Sequence, residues 1–211
     1  MKNRVLFQGD SITDADRSRA NTGANSNVAL GCGYAYLCAA RLLSRQPTSG
    51  LEIFNRGISG NRILDLYARW KGDVLAIQPG VLSILIGVND SWHDFNSGTG
   101  VDVPRYAKTY AELLEWTREA LPDTRLVLCE PFVLHCGAVG AEWGPEMRER
   151  GRIVRDLAEK FGAVFVPFQS MFDASVSEAP SEYWLPDGVH PSPAGHERMA
   201  QLWMEKTESL F

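Results

Sequence analysis

Two polar residues near the end of the chain could carry out proton transfer. Asp187 and His190 stand three positions apart in "LPDGVHPSPAGH" at 185–196, in a chain with only four histidines. An aspartate at this spacing can hold an imidazole in one tautomer, and the imidazole can then accept the proton of a nucleophile. Asp before Gly is also an ordinary turn signal, so the pair needs support from elsewhere in the sequence.

Ser11 is the candidate nucleophile. It follows Gly9 and Asp10 at the end of an apolar run, and we expect it to begin a helix or a helical turn. Because backbone N–H groups at the start of a helix are unpaired, the Ser11 N–H is a candidate oxyanion donor. Gly60 has no side chain to block its N–H, and Asn89 carries a neutral side-chain amide, so these two are the other candidate donors.

Each of these features also has an ordinary structural explanation. Gly-Asp-Ser is a common turn composition, residues 89–90 could cap a helix, and 57–60 could be a loop that needs positive φ. Taken together and in this order, the residues favour acyl transfer. Other site types lack their signals: the sequence has no G-x-S-x-G, no phosphate-binding P-loop motif and no H-E-x-x-H. We therefore expect neither a metal nor an organic cofactor.

The spacing of apolar residues predicts the scaffold that positions these side chains. Five short apolar runs predict buried parallel strands. They are "RVLFQG" at 4–9, "LEIFN" at 51–55, "VLSILIG" at 81–87, "RLVLCEPF" at 125–132 and "AVFVPF" at 163–168. Helical periods lie between them, including 106–121 and a last helix that opens at Ser192-Pro193, with Met199, Leu202, Trp203 and Leu210 on one side. Alternation of strand and helix predicts one α/β domain over 1–211, a three-layer α/β/α sandwich on a five-stranded parallel sheet. Ligands of such sheets bind beyond the carboxyl ends of the strands.

Composition limits the partners. The charge of −5 and the absence of a long run of one sign argue against nucleic acid or an anionic membrane. The N-terminus lacks the apolar core of a signal peptide, and no apolar run reaches the ~20 residues of a membrane helix. Four cysteines without C-x-x-C spacing are expected to stay reduced. A cytoplasmic protein is the default expectation, and a homo-oligomer of unspecified number stays open.

Four blocks of the sequence resemble those of the SGNH hydrolases, the GDSL esterase/lipase superfamily. The blocks are "FQGDSITDADR", "NRGISGNRILDLYARW", "LIGVNDSW" and "DGVHPSPAGH". The resemblance implies a flavodoxin-like fold, with Ser11 as nucleophile, His190 as base and Asp187 as the triad carboxylate. It also assigns the oxyanion hole to Ser11, Gly60 and Asn89. Ile12 stands where the family name has Leu, which leaves the chemistry untouched.

Within the superfamily, the first three blocks look most similar to intracellular bacterial acetyl-xylooligosaccharide esterases. The resemblance implies a serine esterase that removes short acyl groups, acetyl above all, from xylan fragments or related carbohydrates. The candidate substrate-binding residues are Asp10, next to the nucleophile, and the aromatic Trp92, Tyr183 and Trp184. Aromatic faces can stack on sugars, but the same rings could simply pack in the core.

Two alternatives to this function remain. A short-chain thioesterase or a lysophospholipase could use the same scaffold and the same triad. The other is a catalytically inactive carbohydrate-binding protein, which is disfavoured because no member of the triad or of the oxyanion set is missing from the sequence.

Overall fold

Five parallel strands form the centre of the protein. The computed structural model describes residues 3–211. The strands are β1 (Arg4–Gly9), β2 (Glu52–Asn55), β3 (Val81–Leu85), β4 (Arg125–Cys129) and β5 (Val164–Val166). Their order in the sheet is β2-β1-β3-β4-β5, the flavodoxin-like order, with every neighbouring pair parallel. Each predicted apolar run contains one strand, and the five-stranded parallel sheet is confirmed.

Helices of very different length connect the strands. The described residues form α1 (Ser11–Asp14), α2 (Asn27–Leu30), α3 (Tyr34–Arg45), α4 (Ile63–Trp70), α5 (Val88–Ser97), α6 (Val103–Ala120), α7 (Trp143–Phe161), α8 (Phe168–Ser175), α9 (Ser181–Trp184) and α10 (Pro193–Lys206). A π-helical turn, Lys71–Leu75, continues α4, and a 3₁₀ turn, Glu208–Leu210, follows α10. None of these helices in residues 3–211 has the length and apolar character to cross a membrane.

The sheet is buried on both faces, which gives the predicted three layers. Side chains on one face of the strands, such as Phe7 and Val127, share a core with α3 and α10. Side chains on the other face, such as Leu6 and Leu82, share a second core with α4, α6 and α7. Because both faces are covered, the strands carry nearly continuous apolar runs, in place of the alternating pattern of a half-exposed sheet.

Local capping explains where the two predicted helices begin. The side chain of Ser192 accepts a hydrogen bond from Gly195 N–H at 3.2 Å, with Pro193 in the first helical position, as predicted. Helix α6 begins three residues before the predicted start, because Asp102 caps Arg105 N–H at 2.9 Å. The prediction for Leu210 is wrong: α10 ends at Lys206, so Leu210 lies in the 3₁₀ turn that follows.

Candidate active site

The junction of β1 and α1 fixes the position of Ser11. Asp10 caps α1, with its side chain accepting the Ile12 N–H at 3.0 Å, and Ser11 is the first residue of the helix. A side chain at Gly9 is excluded, since its Cβ would lie 2.3 Å from the Leu85 carbonyl oxygen of β3. Ser11 therefore stands at the carboxyl edge between β1 and β3, where the order of the strands changes direction.

Ser11, His190 and Asp187 form a continuous chain of hydrogen bonds. The Ser11 Oγ lies 2.8 Å from His190 Nε2, and His190 Nδ1 lies 2.6 Å from Asp187 Oδ2. With the Nδ1 proton directed at the carboxylate, the lone pair of Nε2 faces the serine hydroxyl. The arrangement can move a proton from the hydroxyl to the imidazole.

The backbone around Asp187 holds its carboxylate still. The second carboxylate oxygen, Oδ1, accepts the N–H groups of Val189 at 2.9 Å and His190 at 2.7 Å. Burial acts to raise the pKa of Asp187, but the hydrogen bonds from the His190 ring and from these two N–H groups outweigh it and hold the pKa below its ordinary value. The carboxylate is therefore ionised at neutral pH.

The other two candidate oxyanion donors lie on a loop, at Gly60, and in the first turn of α5, at Asn89. Gly60 has φ of +83°, and the place of its missing side chain is open space. Asn89 is the second residue of α5, and its side-chain Nδ2 donates to the Asn61 carbonyl at 3.2 Å. That bond uses one of the two amide hydrogens and ties Asn89 to the loop of Gly60. The other hydrogen is left for a ligand.

Two buried carboxyl groups, those of Asp10 and Asp90, stand next in sequence to the candidate donors Ser11 and Asn89. Burial, against the opposing bond from Ile12 N–H and with the nearby charge of Asp90 as a further cause, raises the pKa of Asp10 to about 7. Burial also raises the pKa of Asp90 to about 7, although the charge of Arg150 acts against it. Asp90 accepts the Ile63 N–H at 3.1 Å, which attaches the start of α4 to α5. Asp10 is only 1% exposed, so its carboxyl is not accessible for the substrate contact that was predicted.

Asp14 was not singled out from the sequence, yet it links two parts of the site. Its Oδ2 accepts the Ser59 N–H at 3.0 Å and pairs with the Arg19 guanidinium at 2.9 Å. The peptide next to Gly60 is thereby attached to the helix that begins with Ser11. The only sequence signal was the position of Asp14 inside the "GDSITDADR" block.

The three candidate aromatic residues have different surroundings. Trp92 packs edge-on against Trp143, and its ring centroid lies 6.1 Å from that of His190. Tyr183 is 56% exposed, beside the ring of Trp184. Trp184 is buried and donates its indole N–H to the Ser175 carbonyl at 2.9 Å. Of the two interpretations of Trp184, packing in the core fits and stacking on a sugar does not.

A cleft of about 770 Å³ opens beside Ser11 and His190. Its walls come from the segment after Ser11, from Cys32 before α3, from Ser59 in the loop after β2 and from the segment that leads into α10. The last segment contributes Pro191, Pro193 and His196, and the first contributes Asp16 and Arg19. His196, in the first turn of α10, accepts the Tyr34 N–H on its Nδ1 at 3.1 Å. The volume is within the range of small-molecule sites.

The sequence and the fold have known relatives. Residues 7–198 match the GDSL-like Lipase/Acylhydrolase family. An acetylxylan esterase of Geobacillus stearothermophilus is 35% identical over 208 residues, which cover 96% of this chain and 93% of the relative. A solved GDSL-like lipase of Parabacteroides merdae has a TM-score of 0.94 at 47% identity, covering 97% of this chain and 95% of its own.

Solved structures of a G. stearothermophilus acetyl xylan esterase are also similar. One variant has a TM-score of 0.86 at 34% identity and covers 96% of this chain and 93% of its own. Others are catalytic mutants in which a serine, an aspartate or a histidine is replaced by alanine. With matches over nearly its whole length in sequence and in fold, this chain belongs to the GDSL-like lipase/acylhydrolase family and is a carboxylic ester hydrolase.

Proposed function

We propose that the protein is a serine esterase that removes acetyl groups from xylooligosaccharides or related carbohydrates. The observation that carries the proposal is the unbroken chain of hydrogen bonds from Ser11 Oγ through His190 to Asp187. The relatives support it, because the catalytic mutants of the similar acetyl xylan esterase replace the same three residue types.

Acylation begins when Ser11 Oγ attacks the carbonyl carbon of the acetyl ester. The hydroxyl proton passes to His190 Nε2, and Asp187 stabilises the resulting imidazolium through Nδ1. The carbonyl oxygen becomes an oxyanion and accepts hydrogen bonds from the N–H groups of Ser11 and Gly60 and from the Asn89 amide. When the intermediate collapses, the imidazolium returns its proton to the sugar oxygen, which leaves as a hydroxyl group.

Deacylation repeats the sequence with water in place of the serine. His190 takes a proton from water as the oxygen attacks the acetyl-serine, and the same three donors stabilise the second oxyanion. The imidazolium then protonates Ser11 Oγ, and acetic acid leaves and ionises in water. Two easier steps thus replace one difficult one.

The acetylated carbohydrate is inferred from the relatives and from the lining of the cleft. The relative at 35% identity is an acetylxylan esterase, and a second solved variant of the similar G. stearothermophilus enzyme is called an acetyl-xylooligosaccharide esterase. The cleft combines apolar residues such as Pro191 with polar and charged side chains such as Arg19 and Ser59, a mixed lining that suits a hydroxylated leaving group.

Covalent labelling tests the role of Ser11. A fluorophosphonate should inactivate the protein with one adduct per chain, and peptide mass spectrometry should find the adduct on Ser11. Prior addition of a short-chain ester substrate should slow the labelling. An adduct on a different serine in an inactivated sample would overturn the assignment.

A cytoplasmic location and a homo-oligomeric assembly stay predictions of the sequence. Cell fractionation tests the first, and light scattering of the purified protein tests the second.

A further inference from the structure

The cleft beside Ser11 lies on the leaving-group side of the reaction, an inference that rests on the proposed function. Ser11 and His190 line it, whereas Gly60, Asn89 and Trp92 are not among its walls. In the tetrahedral intermediate the oxyanion faces the oxyanion donors, and the leaving oxygen faces the imidazole that protonates it. A group attached to that oxygen therefore extends from His190 into the cleft.

His196 is a second imidazole in this cleft, and its hydrogen-bond donor is fixed. Its Nδ1 accepts the Tyr34 N–H at 3.1 Å, so the neutral ring carries its proton on Nε2. Within residues 3–211, Nε2 has no hydrogen-bond partner, and it is not among the side-chain atoms sealed from solvent without one. The donor is thus open to a ligand in the cleft.

The ring is held in place and stays neutral. It is seated against the backbone of Gly33, where an added Cβ would lie 2.9 Å from His196 Cε1. Burial, with a smaller contribution from the charge of a protonated His190, lowers the pKa of His196 to about 4. His196 therefore does not act as a second base at neutral pH. A rigid neutral N–H suits an uncharged hydroxyl or ring oxygen, which can be bound without desolvating a full charge.

We propose that His196 Nε2 donates a hydrogen bond to an oxygen of the departing sugar, which makes the wall of the cleft around His196 the subsite for the carbohydrate leaving group. Other cleft groups are already engaged or in water: Arg19 pairs with Asp14, and Asp16 is exposed. His196 determines specificity for the leaving group and takes no part in the covalent steps. Small esters that do not reach it are hydrolysed without its help.

Two substitutions separate the donor from the packing of the ring. In His196→Asn the amide oxygen stands close to the position of Nδ1 and can still accept the Tyr34 N–H, but the N–H donor at the position of Nε2 is lost. In His196→Gln an amide N–H reaches close to the position of Nε2. The control is His135→Ala, an exposed histidine on a loop outside this cleft.

The experiment compares kcat/KM for an acetylated xylooligosaccharide with that for p-nitrophenyl acetate. We expect His196→Asn to lose about 3- to 10-fold on the sugar ester, mainly in KM, and less than about twofold on p-nitrophenyl acetate. His196→Gln should recover part of the loss, and His135→Ala should resemble the wild type. Equal losses on both esters, or no loss on the sugar ester, would overturn the subsite.

The wild-type protein separates failure of the subsite from failure of the proposed function. If the wild type does not deacetylate the sugar ester, the proposed substrate is wrong and the subsite is wrong with it. If His196→Asn does not fold, the wild type supplies the test: titration with xylobiose should shift the ¹⁵N resonance of His196 Nε2 and leave His135 unchanged. An unmoved His196 resonance at saturating xylobiose would contradict the proposal.

Discussion

At the scale of single residues, the site divides proton transfer from charge stabilisation. His190 meets the serine hydroxyl with one ring nitrogen and Asp187 with the other. Asn89 lies on a different element and reaches the site with one free amide hydrogen. Since the two tasks use different side chains, substitutions should separate them.

Asn89→Ala should reduce kcat by roughly 10²- to 10³-fold with little change in KM. The reason is that its hydrogen bond strengthens as the carbonyl oxygen gains charge, so it stabilises the transition state more than the bound substrate. Steady-state kinetics on p-nitrophenyl acetate measure both constants. A rise in KM at unchanged kcat would mean that Asn89 binds substrate in its ground state.

Asp187→Asn should reduce kcat by roughly 10⁴-fold, as the same change does in serine proteases, because an amide can stabilise the wrong tautomer of His190. The double variant with His190→Ala should be scarcely slower than His190→Ala alone, since a residue that orients the base has no task without it. The measurement is a double-mutant cycle in kcat. Additive losses would show that Asp187 acts independently of His190.

At the scale of elements, the start of α1 does two jobs with adjacent residues. Asp10 caps the helix from a buried position, and Ser11 is held at the edge of the sheet by the same turn. The cost of the buried cap is electrostatic. Folding raises the pKa of Asp10 from about 4 to about 7. Between these pH values Asp10 is therefore protonated in the folded protein and ionised in the unfolded chain.

The stability that Asp10 contributes should therefore fall as pH rises through that window, by about 1.4 kcal/mol per pH unit at most. Asp10→Asn keeps an oxygen for the Ile12 N–H and removes the ionisation. We expect the Tm of the variant, relative to the wild type, to increase between pH 5 and pH 8. Thermal unfolding at both pH values measures the effect.

The matched control for Asp10→Asn is Asp102→Asn. Asp102 caps α6 in the same way, but its side chain is 63% exposed to water. Its substitution should leave the pH dependence of Tm nearly unchanged. A Tm difference for Asp10→Asn that stays constant with pH would contradict the buried, protonated carboxyl.

The strands were predictable from sequence and the cleft was not. Each strand is a local apolar run between turn residues, and Ser192-Pro193 is a local start signal. The start of α6 was missed because its cap precedes the first periodic residue. The cleft depends on the bond from Ser59 N–H to Asp14 and on the bond from Tyr34 N–H to His196, which join residues 45 and 162 positions apart. Such distant contacts follow from the folded topology and leave no pattern in a sequence window.

At the scale of the whole molecule, the parallel sheet gathers residues from distant parts of the chain at one edge. The edge carries short helices and loops around the cleft beside Ser11. Among residues 3–211, none of the large apolar side chains that are exposed to water lines this cleft, so a long acyl chain would find no exposed large apolar side chain beside Ser11 there. Acyl-chain preference is therefore a property of the assembled edge and of no single residue.

We expect kcat/KM for p-nitrophenyl esters to be highest with acetyl or propionyl. An enzyme with an apolar acyl site would gain about 0.8 kcal/mol for each CH₂ that it buries, so its kcat/KM would rise with chain length. A series of esters from acetyl to dodecanoyl measures the preference. A maximum at octanoyl or longer would favour a lipid or acyl-thioester substrate.

The measurement that tests the central claim most directly is the initial rate of acetate release from acetylated xylooligosaccharides, for the wild type and for Ser11→Ala. The wild type should release acetate, and Ser11→Ala should be slower by about 10³-fold or more, with an unchanged Tm. Absence of acetate release by a wild type that still cleaves other esters would contradict the carbohydrate substrate. Release by folded Ser11→Ala at a rate close to that of the wild type would contradict the nucleophile.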